Sequence, residues 1–160
     1  MATNARLNGA RADEVEIDAI NAGLLQELQR DARLSLAELG RRVGLSSPAV
    51  AERLQRLEAE GVIRGYHADV DPKALGYSLT VVIRIRPAPR ELTKVADLAR
   101  ATPEVVECQR ITGEDCFFMK AHVRDVMHME ELIDRFNPYG VTTTSIAQSA
   151  PVPVRPIALD

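Results

Sequence analysis

The sequence predicts an α+β protein of two small domains, in which three helices precede a domain of four strands and two helices. Two patterns lead to this fold class. Up to about residue 60, apolar residues recur every three or four positions, which is the period of amphipathic helices. From Tyr77 onwards, short runs alternate apolar and polar residues and are separated by helical stripes, which is typical of strands interleaved with helices. A chain of 160 residues has room for two such domains.

Composition places the chain among ordinary globular proteins: 46% of residues are hydrophobic, 27% are charged and the formal net charge is −3. No apolar run approaches the roughly 20 residues that span a bilayer, and the N-terminus lacks the apolar core of a secretion signal. We therefore expect a cytoplasmic protein with no membrane partner. Cys108 and Cys116 have neither Cys-x-x-Cys spacing nor a histidine at ligand spacing, so we expect reduced thiols, no metal and no cofactor.

The chain begins with a polar stretch, residues 1–15, that has no apolar period and predicts a flexible arm. A first helix then extends to about Arg30 and carries its apolar side chains on one face; these are Ile17, Ile20, Leu24, Leu25 and Leu28. Gly23 lies inside this helix at a cost of about 1 kcal/mol against alanine. Close packing of a neighbouring helix would explain the glycine.

The next stretch has the signals of a helix-turn-helix. Ser35 and Glu38 form a capping box that begins a second helix, and Gly44 marks the turn. Ser46 caps a third helix, which Gly61 ends. The segment 62–70 then predicts an extended hairpin or linker strand that would serve as a wing.

Charge in this stretch favours nucleic acid. From residue 30 to residue 66 there are seven arginines and five acids, and every basic residue before position 73 is an arginine. Arginine makes bidentate contacts to phosphate and guanine that lysine does not. The alternative is a solvated helical face of mixed charge, and the helix-turn-helix spacing beneath the charges favours DNA.

The second half predicts a β-α-β-β-α-β domain, the ferredoxin-like arrangement with both helices on one sheet face. The four strands are expected at Tyr77–Arg86, Val105–Thr112, Cys116–Arg124 and Val141–Gln148, and the helices at Arg90–Ala101 and after Asp125. The other sheet face carries several apolar side chains and has no element to cover it, which predicts self-association. The expected boundaries are an arm at 1–15, a DNA-binding domain at 16–65, a linker at 66–76, a sheet domain at 77–150 and a tail at 151–160.

The chain resembles the Lrp/AsnC, or feast/famine, family of transcription regulators over residues 17–148. The segments that match the family pattern are Leu28-Gln29-Arg30-Asp31-Ala32-Arg33, Glu38-Leu39, Val43-Gly44-Leu45-Ser46, Val50, Arg53-Leu54, Arg56-Leu57-Glu58, Gly61-Val62-Ile63 and Gly65-Tyr66. The resemblance implies a winged helix-turn-helix domain followed by an ACT-like, RAM-type ferredoxin-like domain. It also implies a nucleoid-associated regulator that binds double-stranded operator DNA, forms homodimers that assemble into tetramers or octamers, and binds a small effector, usually an amino acid.

The resemblance also implies which residues bind. The helix from Ser47 to Glu60 would be the recognition helix, and the expected DNA-binding residues are Ser35, Arg41, Arg42, Ser46, Ser47, Ala49, Glu52, Arg53 and Arg56. The expected effector-binding residues are Thr112, Gly113, Glu114, Asp115, Cys116, Thr142, Thr143, Thr144 and Ser145. Cys116 stands where the family pattern has an aspartate. A hairpin tip without a ligand and a redox-sensing Cys116 are therefore alternatives at this turn.

The main interpretation is a sequence-specific DNA-binding regulator that is not an enzyme. One alternative is an architectural protein that wraps DNA with little sequence preference. The other is an enzyme similar to siroheme decarboxylases, which resemble the same two-domain fold. In that case His122, Arg84 and Arg86 would be the candidate contributors to a tetrapyrrole pocket.

Overall fold

The computed structural model describes residues 17–159, so the predicted arm lies outside the described residues. The described chain forms two compact units. The first comprises residues 17–68 together with 154–159, and the second comprises residues 69–153. None of the helices in the described range is long and apolar enough to cross a membrane.

The first unit contains the three predicted helices, α1 (Ala19–Arg30), α2 (Leu36–Val43) and α3 (Ser47–Ala59). Each begins at a side-chain cap, since Asp18, Ser35 and Ser46 accept hydrogen bonds from backbone N–H groups three residues later. One apolar core joins the helices; its buried members are Leu24, Leu39, Val50, Leu54 and Leu57. The periodicity of the sequence therefore predicted both the helices and the faces that pack together.

Two glycines set how closely the helices approach. A Cβ at Gly40 would lie 2.3 Å from the carbonyl oxygen of Leu45, inside the turn between α2 and α3. A Cβ at Gly23 would lie 3.3 Å from Cγ1 of Val43, so α1 packs tightly on the end of α2 as its glycine predicted. The turn residue Gly44 adopts the left-handed conformation, with φ of 74°, that favours glycine.

The predicted strand at 62–70 is absent, because none of these residues pairs as a β-strand. Val62 and Ile63 instead pack against the core of the first unit, and the Ile63 N–H donates to the Leu57 carbonyl at 3.0 Å. Val62 and Ile63 thus complete the end of α3. A ladder would need a second strand, and residues 17–68 contain none.

The second unit is the predicted β-α-β-β-α-β arrangement. Its elements are β1 (Leu79–Pro87), α4 (Leu92–Ala101), β2 (Val105–Arg110), β3 (Phe117–Val123), α5 (Val126–Phe136) and β4 (Gly140–Ile146). The strands form one antiparallel sheet in the order β2-β3-β1-β4. Short 3₁₀ turns at Pro72–Leu75 and Asn137–Tyr139 precede β1 and β4. The strand bounds differ from the predicted ones by at most two residues at each end.

Alternation along the strands separates the two sheet faces. The inward positions of β1 and β3 are buried with α4 and α5 in a single core; the strand members are Val81, Ile83, Ile85, Phe117, Met119, Ala121 and Val123. The opposite face is more polar than predicted. Val82 and Phe118 are half-buried there, but Arg84, Arg86, Lys120 and His122 alternate with them. The uncovered face is therefore mixed rather than apolar.

The C-terminal residues 154–159 form neither helix nor strand and belong to the first unit. The side-chain amide of Gln29 on α1 holds them by the backbone. Its Oε1 accepts from the Ile157 N–H at 2.8 Å, and its Nε2 donates to the Ile157 carbonyl at 3.1 Å. Gln26 Nε2 donates to the Leu159 carbonyl at 3.3 Å. These contacts involve the backbone, and the Ile157 side chain stays exposed.

A charged cluster ties α5 to the start of β2. Glu104 Oε1 lies 3.1 Å from His128 Nε2 and accepts from Arg135 at 2.8 Å. His128 is buried and its Nδ1 accepts from the Arg124 N–H at 3.2 Å, so its proton lies on Nε2 and is donated to Glu104. Burial raises the pKa of Glu104, but the hydrogen bonds from His128 and Arg135 lower it more, to about 2.

We predict that Gly40→Ala destabilises the first unit by about 3 kcal/mol, because the added Cβ would overlap the Leu45 carbonyl. Gly44→Ala is the control: nothing lies within 4 Å of its Cβ, so it should cost only the left-handed strain of about 1 kcal/mol. Urea unfolding of both variants measures the difference. Equal losses would contradict the close approach at Gly40.

We also predict that Glu104 stabilises the second unit at neutral pH. Its folded pKa lies below the ordinary value of 4.5, so its contribution is complete above that pH and is lost as the pH falls towards about 2. Glu104→Gln should remove about 2 kcal/mol at pH 7 and less at pH 3. Urea unfolding at both pH values tests this, with the exposed Glu130→Gln as the control. A loss at Glu104 that does not change with pH would contradict the argument.

Candidate nucleic-acid interface and effector site

The predicted recognition residues on α3 and at its N-cap differ in exposure. Val50 is buried in the core, so the face opposite to it points to solvent. Ser46, Glu52 and Arg56 are exposed, whereas Ser47, Ala49 and Arg53 are half-buried. Ser46 Oγ accepts from the Ala49 N–H at 3.5 Å, which leaves its hydroxyl proton free to donate.

Arg53 points towards α1. Its Nη1 lies 2.7 Å from Asp18 Oδ2 and 3.0 Å from Asn21 Oδ1. Asp18 Oδ1 accepts at the same time from the Asn21 N–H at 2.7 Å, which caps α1. The Asn21 N–H bond and the Arg53 guanidinium hold the pKa of Asp18 below its usual range. Arg53 therefore joins the recognition helix to the first turn of α1.

Arg56 is paired within its own helix, since its Nε donates to Glu60 Oε1 at 2.8 Å. Its side chain is 78% exposed, so the pair can be exchanged for another anion at little cost. An open cleft of about 610 Å³ lies beside it, between the start of α1 and α3; its charged lining residues are Asp18, Glu52, Arg53, Arg56 and Glu60. The cleft thus mixes both signs of charge on the exposed side of α3.

The arginines at the end of α2 share a carboxylate. Glu38 accepts from Arg41 Nη2 at 2.6 Å and from Arg42 Nε at 2.8 Å, and Arg42 also pairs with Glu27 of α1. The hydrogen bonds from Arg41 and then Arg42 lower the pKa of Glu38. Ser35, the remaining predicted contact on α2, caps the helix through its Oγ, which accepts from the Glu38 N–H at 3.2 Å.

The turn between β2 and β3 is closed by backbone hydrogen bonds. The Ile111 N–H donates to the Cys116 carbonyl, and the Cys116 N–H donates to the Ile85 carbonyl, both at 3.0 Å. Gly113 has a φ of 112°, a conformation that side chains rarely adopt. Thr112, Gly113 and Glu114 are exposed at the tip.

The two acids of this turn already have cationic partners on β1. Glu114 Oε2 accepts from Arg86 at 2.8 Å, in a pair with both side chains exposed. Asp115 Oδ2 lies 3.7 Å from Arg84 Nη1, which is close enough for attraction but beyond a hydrogen bond. The Asp115 pair is therefore the looser of the two.

The predicted residues of β4 divide between the two sheet faces. Thr143 lies opposite Arg84 and Ser145 opposite Val82, so both share the uncovered face with the Arg84–Asp115 pair. Thr142 and Thr144 lie opposite buried isoleucines and point to the helical face. The Thr144 hydroxyl is buried with no hydrogen-bond partner. The structure thus brings Thr143, and not Thr142 or Thr144, to the face of the turn acids.

Neither cysteine is placed for a cross-strand disulfide. Cys108 lies opposite Met119, whereas Cys116 lies at the turn and packs half-buried against the sheet core. Burial raises the pKa of Cys108, which reduces its thiolate fraction at neutral pH. Within residues 17–159, no group of three or more His, Cys, Asp or Glu side chains could hold a metal ion.

Two family models match the chain in the order that the two units follow. An AsnC-type helix-turn-helix domain matches residues 17–58, and an Lrp/AsnC ligand-binding domain matches residues 80–157. The transcriptional regulator LrpC of Bacillus subtilis is 31% identical over 132 residues, which covers 82% of this chain and 92% of the relative. The chain belongs to the Lrp/AsnC family of transcriptional regulators.

Solved structures of the family have the same fold. The LrpC structure aligns with a TM-score of 0.79 at 32% identity over 82% of this chain and 94% of the other. A Neisseria meningitidis transcriptional regulator solved with L-methionine aligns at 0.83 and 26% identity, over 89% and 97%. A Mycobacterium tuberculosis feast or famine regulatory protein, also complexed with L-methionine, aligns at 0.74 and 30%, over 83% and 92%. These relatives are named as regulators and not as enzymes or architectural proteins.

Sequence reasoning missed the acids that hold the arginines. Asp18 and Glu27 lie on the first helix, 35 and 15 residues away from the arginines Arg53 and Arg42 that they pair with. Spacing along one helix finds Arg56 with Glu60 but cannot find a pair between helices. The available signal was the α1 cap, since an aspartate before an apolar helical stripe is a typical N-cap.

We predict that Asp18 and Arg53 are energetically coupled, and that the coupling is small because both side chains are partly exposed. Asp18→Asn keeps a good N-cap and removes the charge, so it isolates the pair. Urea unfolding of Asp18→Asn, Arg53→Gln and the double variant measures the coupling. Strict additivity of the two changes would show that the pair does not join α3 to α1.

Proposed function

We propose that this Lrp/AsnC-family chain places α3 in the major groove of its operator. The exposed N-terminal half of α3 supports this, because a recognition helix reads bases with the residues of its first turns. The proposed base-reading and groove-lining residues are Ser46, Ser47, Ala49, Glu52, Arg53 and Arg56. The carboxylate of Glu52 has no arginine within salt-bridge distance in the described chain, and it would accept from a cytosine amino group.

α2 would lie across the DNA backbone. Ser35, Arg41 and Arg42 would contact phosphates from there, as first helices of this motif do. Arg41 is the better placed of the two arginines, because its side chain is 76% exposed while that of Arg42 is 41% exposed and tied to two carboxylates. These contacts would fix the position of the protein on the duplex without reading sequence.

The uncovered sheet face of the second unit would form a homodimer, and dimers would assemble further into tetramers or octamers. Val82 and Phe118 supply apolar area at the centre of that face. Of the charged residues around them, Arg84 and Arg86 are paired with Asp115 and Glu114 of the same chain. Lys120 would pair with Glu107 of a second copy. A two-fold dimer would present two helix-turn-helix units to half-sites about one DNA turn, or a multiple of it, apart.

The effector would be an amino acid bound at the turn between β2 and β3. A zwitterion can separate the loose Arg84–Asp115 pair and satisfy both charges, with its carboxylate on Arg84 and its ammonium on Asp115. Thr143 lies opposite Arg84 and could donate to the same carboxylate. Asp115 would then take the role of the aspartate that the family pattern has at position 116. The L-methionine complexes of the two relatives support this ligand class.

The protein would act as a regulator without catalysis, in the cytoplasm and in association with the nucleoid. The regulator names of its relatives support this proposal.

Selection from random duplex DNA tests the DNA proposal. We expect a two-part consensus to which the chain binds at least about 1,000-fold more tightly than to scrambled DNA. Arg56→Ala should relax the preference at one position in each half-site, whereas Arg33→Ala on the α1–α2 connection should not. Recovery of no consensus, with a protected region that extends along unrelated DNA, would instead support the architectural alternative.

Calorimetric titration with L-methionine and the other amino acids tests the effector proposal. We expect binding that Asp115→Asn abolishes and that Glu114→Gln, an equal charge change on the neighbouring acid, leaves within about threefold. Arg84→Lys should also weaken binding, because lysine cannot form the forked contact. Equal losses in Asp115→Asn and Glu114→Gln would contradict the role given to Asp115.

A further inference from the structure

Most arginines of residues 17–68 are held by carboxylates of the same range. Seven arginines and seven acids lie between residues 17 and 68, so the formal charge of this range is zero. Five of the seven arginines form ion pairs within it: Arg30, Arg41, Arg42, Arg53 and Arg56. Exposed pairs add little to stability, and DNA binding is favoured by positive charge. The ion pairs therefore affect the affinity for DNA and not only the stability of the fold.

Glu38 is the acid that holds two arginines of the predicted DNA face. Arg41 Nη2 lies 2.6 Å from each of its oxygens and Arg41 Nε lies 3.1 Å from Oε2, while Arg42 Nε lies 2.8 Å from Oε1. In a capping box this carboxylate would accept from the Ser35 N–H. Among the hydrogen bonds of the described residues it accepts from the two arginines instead. Glu38 has the spacing of a capping-box residue, but its carboxylate binds the two arginines.

We propose that Glu38 restrains DNA binding by occupying, between Arg41 and Arg42, the place that a backbone phosphate takes on DNA. The proposal rests on the proposed function, in which α2 lies across the DNA backbone. Carboxylate and phosphate present the same pair of acceptors to a guanidinium fork. A phosphate must therefore displace Glu38 before it gains the arginines, and the displaced carboxylate is left beside the negatively charged duplex.

This exchange lowers the affinity for any duplex, because the phosphate contacts are common to operator and non-operator DNA. Binding to non-operator DNA comes almost entirely from phosphate contacts, so weaker contacts reduce it directly. Binding to the operator also gains from base contacts, which Glu38 does not touch. Glu38 thus lowers the affinity for both kinds of DNA by the same factor and contacts no base.

Arg41 is the arginine through which Glu38 would act. Its only ion-pair partner in the described chain is Glu38. Arg42 is held in addition by Glu27 of α1, and the hydrogen bonds that it donates to Glu27 and to Glu38 raise the pKa of Arg42. Removing the Glu38 charge therefore frees Arg41 and leaves Arg42 in place.

Full-length Glu38→Gln tests the proposal. We expect about two- to fivefold tighter binding to non-operator DNA at low salt. The slope of log affinity against log salt should become steeper by about 0.9, the value of one additional phosphate contact. Operator affinity should rise by the same factor, so the ratio of operator to non-operator affinity stays constant. Glu58→Gln is the matched control, because Glu58 accepts from the Tyr66 hydroxyl at 2.8 Å and forms no ion pair with an arginine in the described range.

The double variant Glu38→Gln/Arg41→Gln locates the effect, since it should return the salt slope to the wild-type value. Circular dichroism checks that α2 is retained, and Glu38→Ala, with a stronger helix former, replaces the glutamine variant if it is not. The proposal is overturned if Glu38→Gln behaves as Glu58→Gln does, or if its effect persists without Arg41. Wild-type protein with no operator preference would overturn the proposed function, and the non-operator comparison would still decide the role of Glu38.

Discussion

Opposite charges within the first unit govern how this regulator can hold DNA. Asp18 and Glu27 on α1 reach Arg53 on α3 and Arg42 on α2, and these contacts join the three helices beyond their shared apolar core. The same contacts cancel the charge that a DNA-binding unit would otherwise carry. A single helix-turn-helix of zero formal charge has little long-range attraction for a duplex, so its affinity has to come from correctly placed contacts.

The second unit supplies what the first lacks. A sheet with one face packed under α4 and α5 and the other uncovered can bring two copies together, and a dimer engages two half-sites at once. Linkage of two weak sites multiplies their affinities without any new contact. The ligand would act through the same sheet, because the Arg84–Asp115 pair and Thr143 lie on its uncovered face. Binding there would change how copies meet, and so how many half-sites are held.

Sequence reasoning correctly predicted the features that depend on residues close to one another in the chain. Helical spacing gave the buried leucines of the first unit, and caps and glycines gave the ends of its helices. The order of strands and helices gave the sheet domain. Sequence reasoning failed for contacts between residues that are distant in the chain and for the sheet face on which a side chain lies. The strand predicted at 62–70 was wrong, because Val62 and Ile63 pack into the helical core. Thr143 and Thr144 lie on opposite sheet faces, and which face each takes follows only from the register of β4 with β1. The ion pairs between helices could not be predicted from the spacing of residues within one helix.

We infer that the helix-turn-helix of residues 17–68, whose formal charge is zero, binds DNA tightly only in pairs. The most direct measurement compares the affinity of the full chain for an operator with two half-sites and for the same duplex with one half-site scrambled. We predict a loss of at least about 100-fold on scrambling one half-site. Equal affinity for the two duplexes would show that one unit suffices and would contradict it.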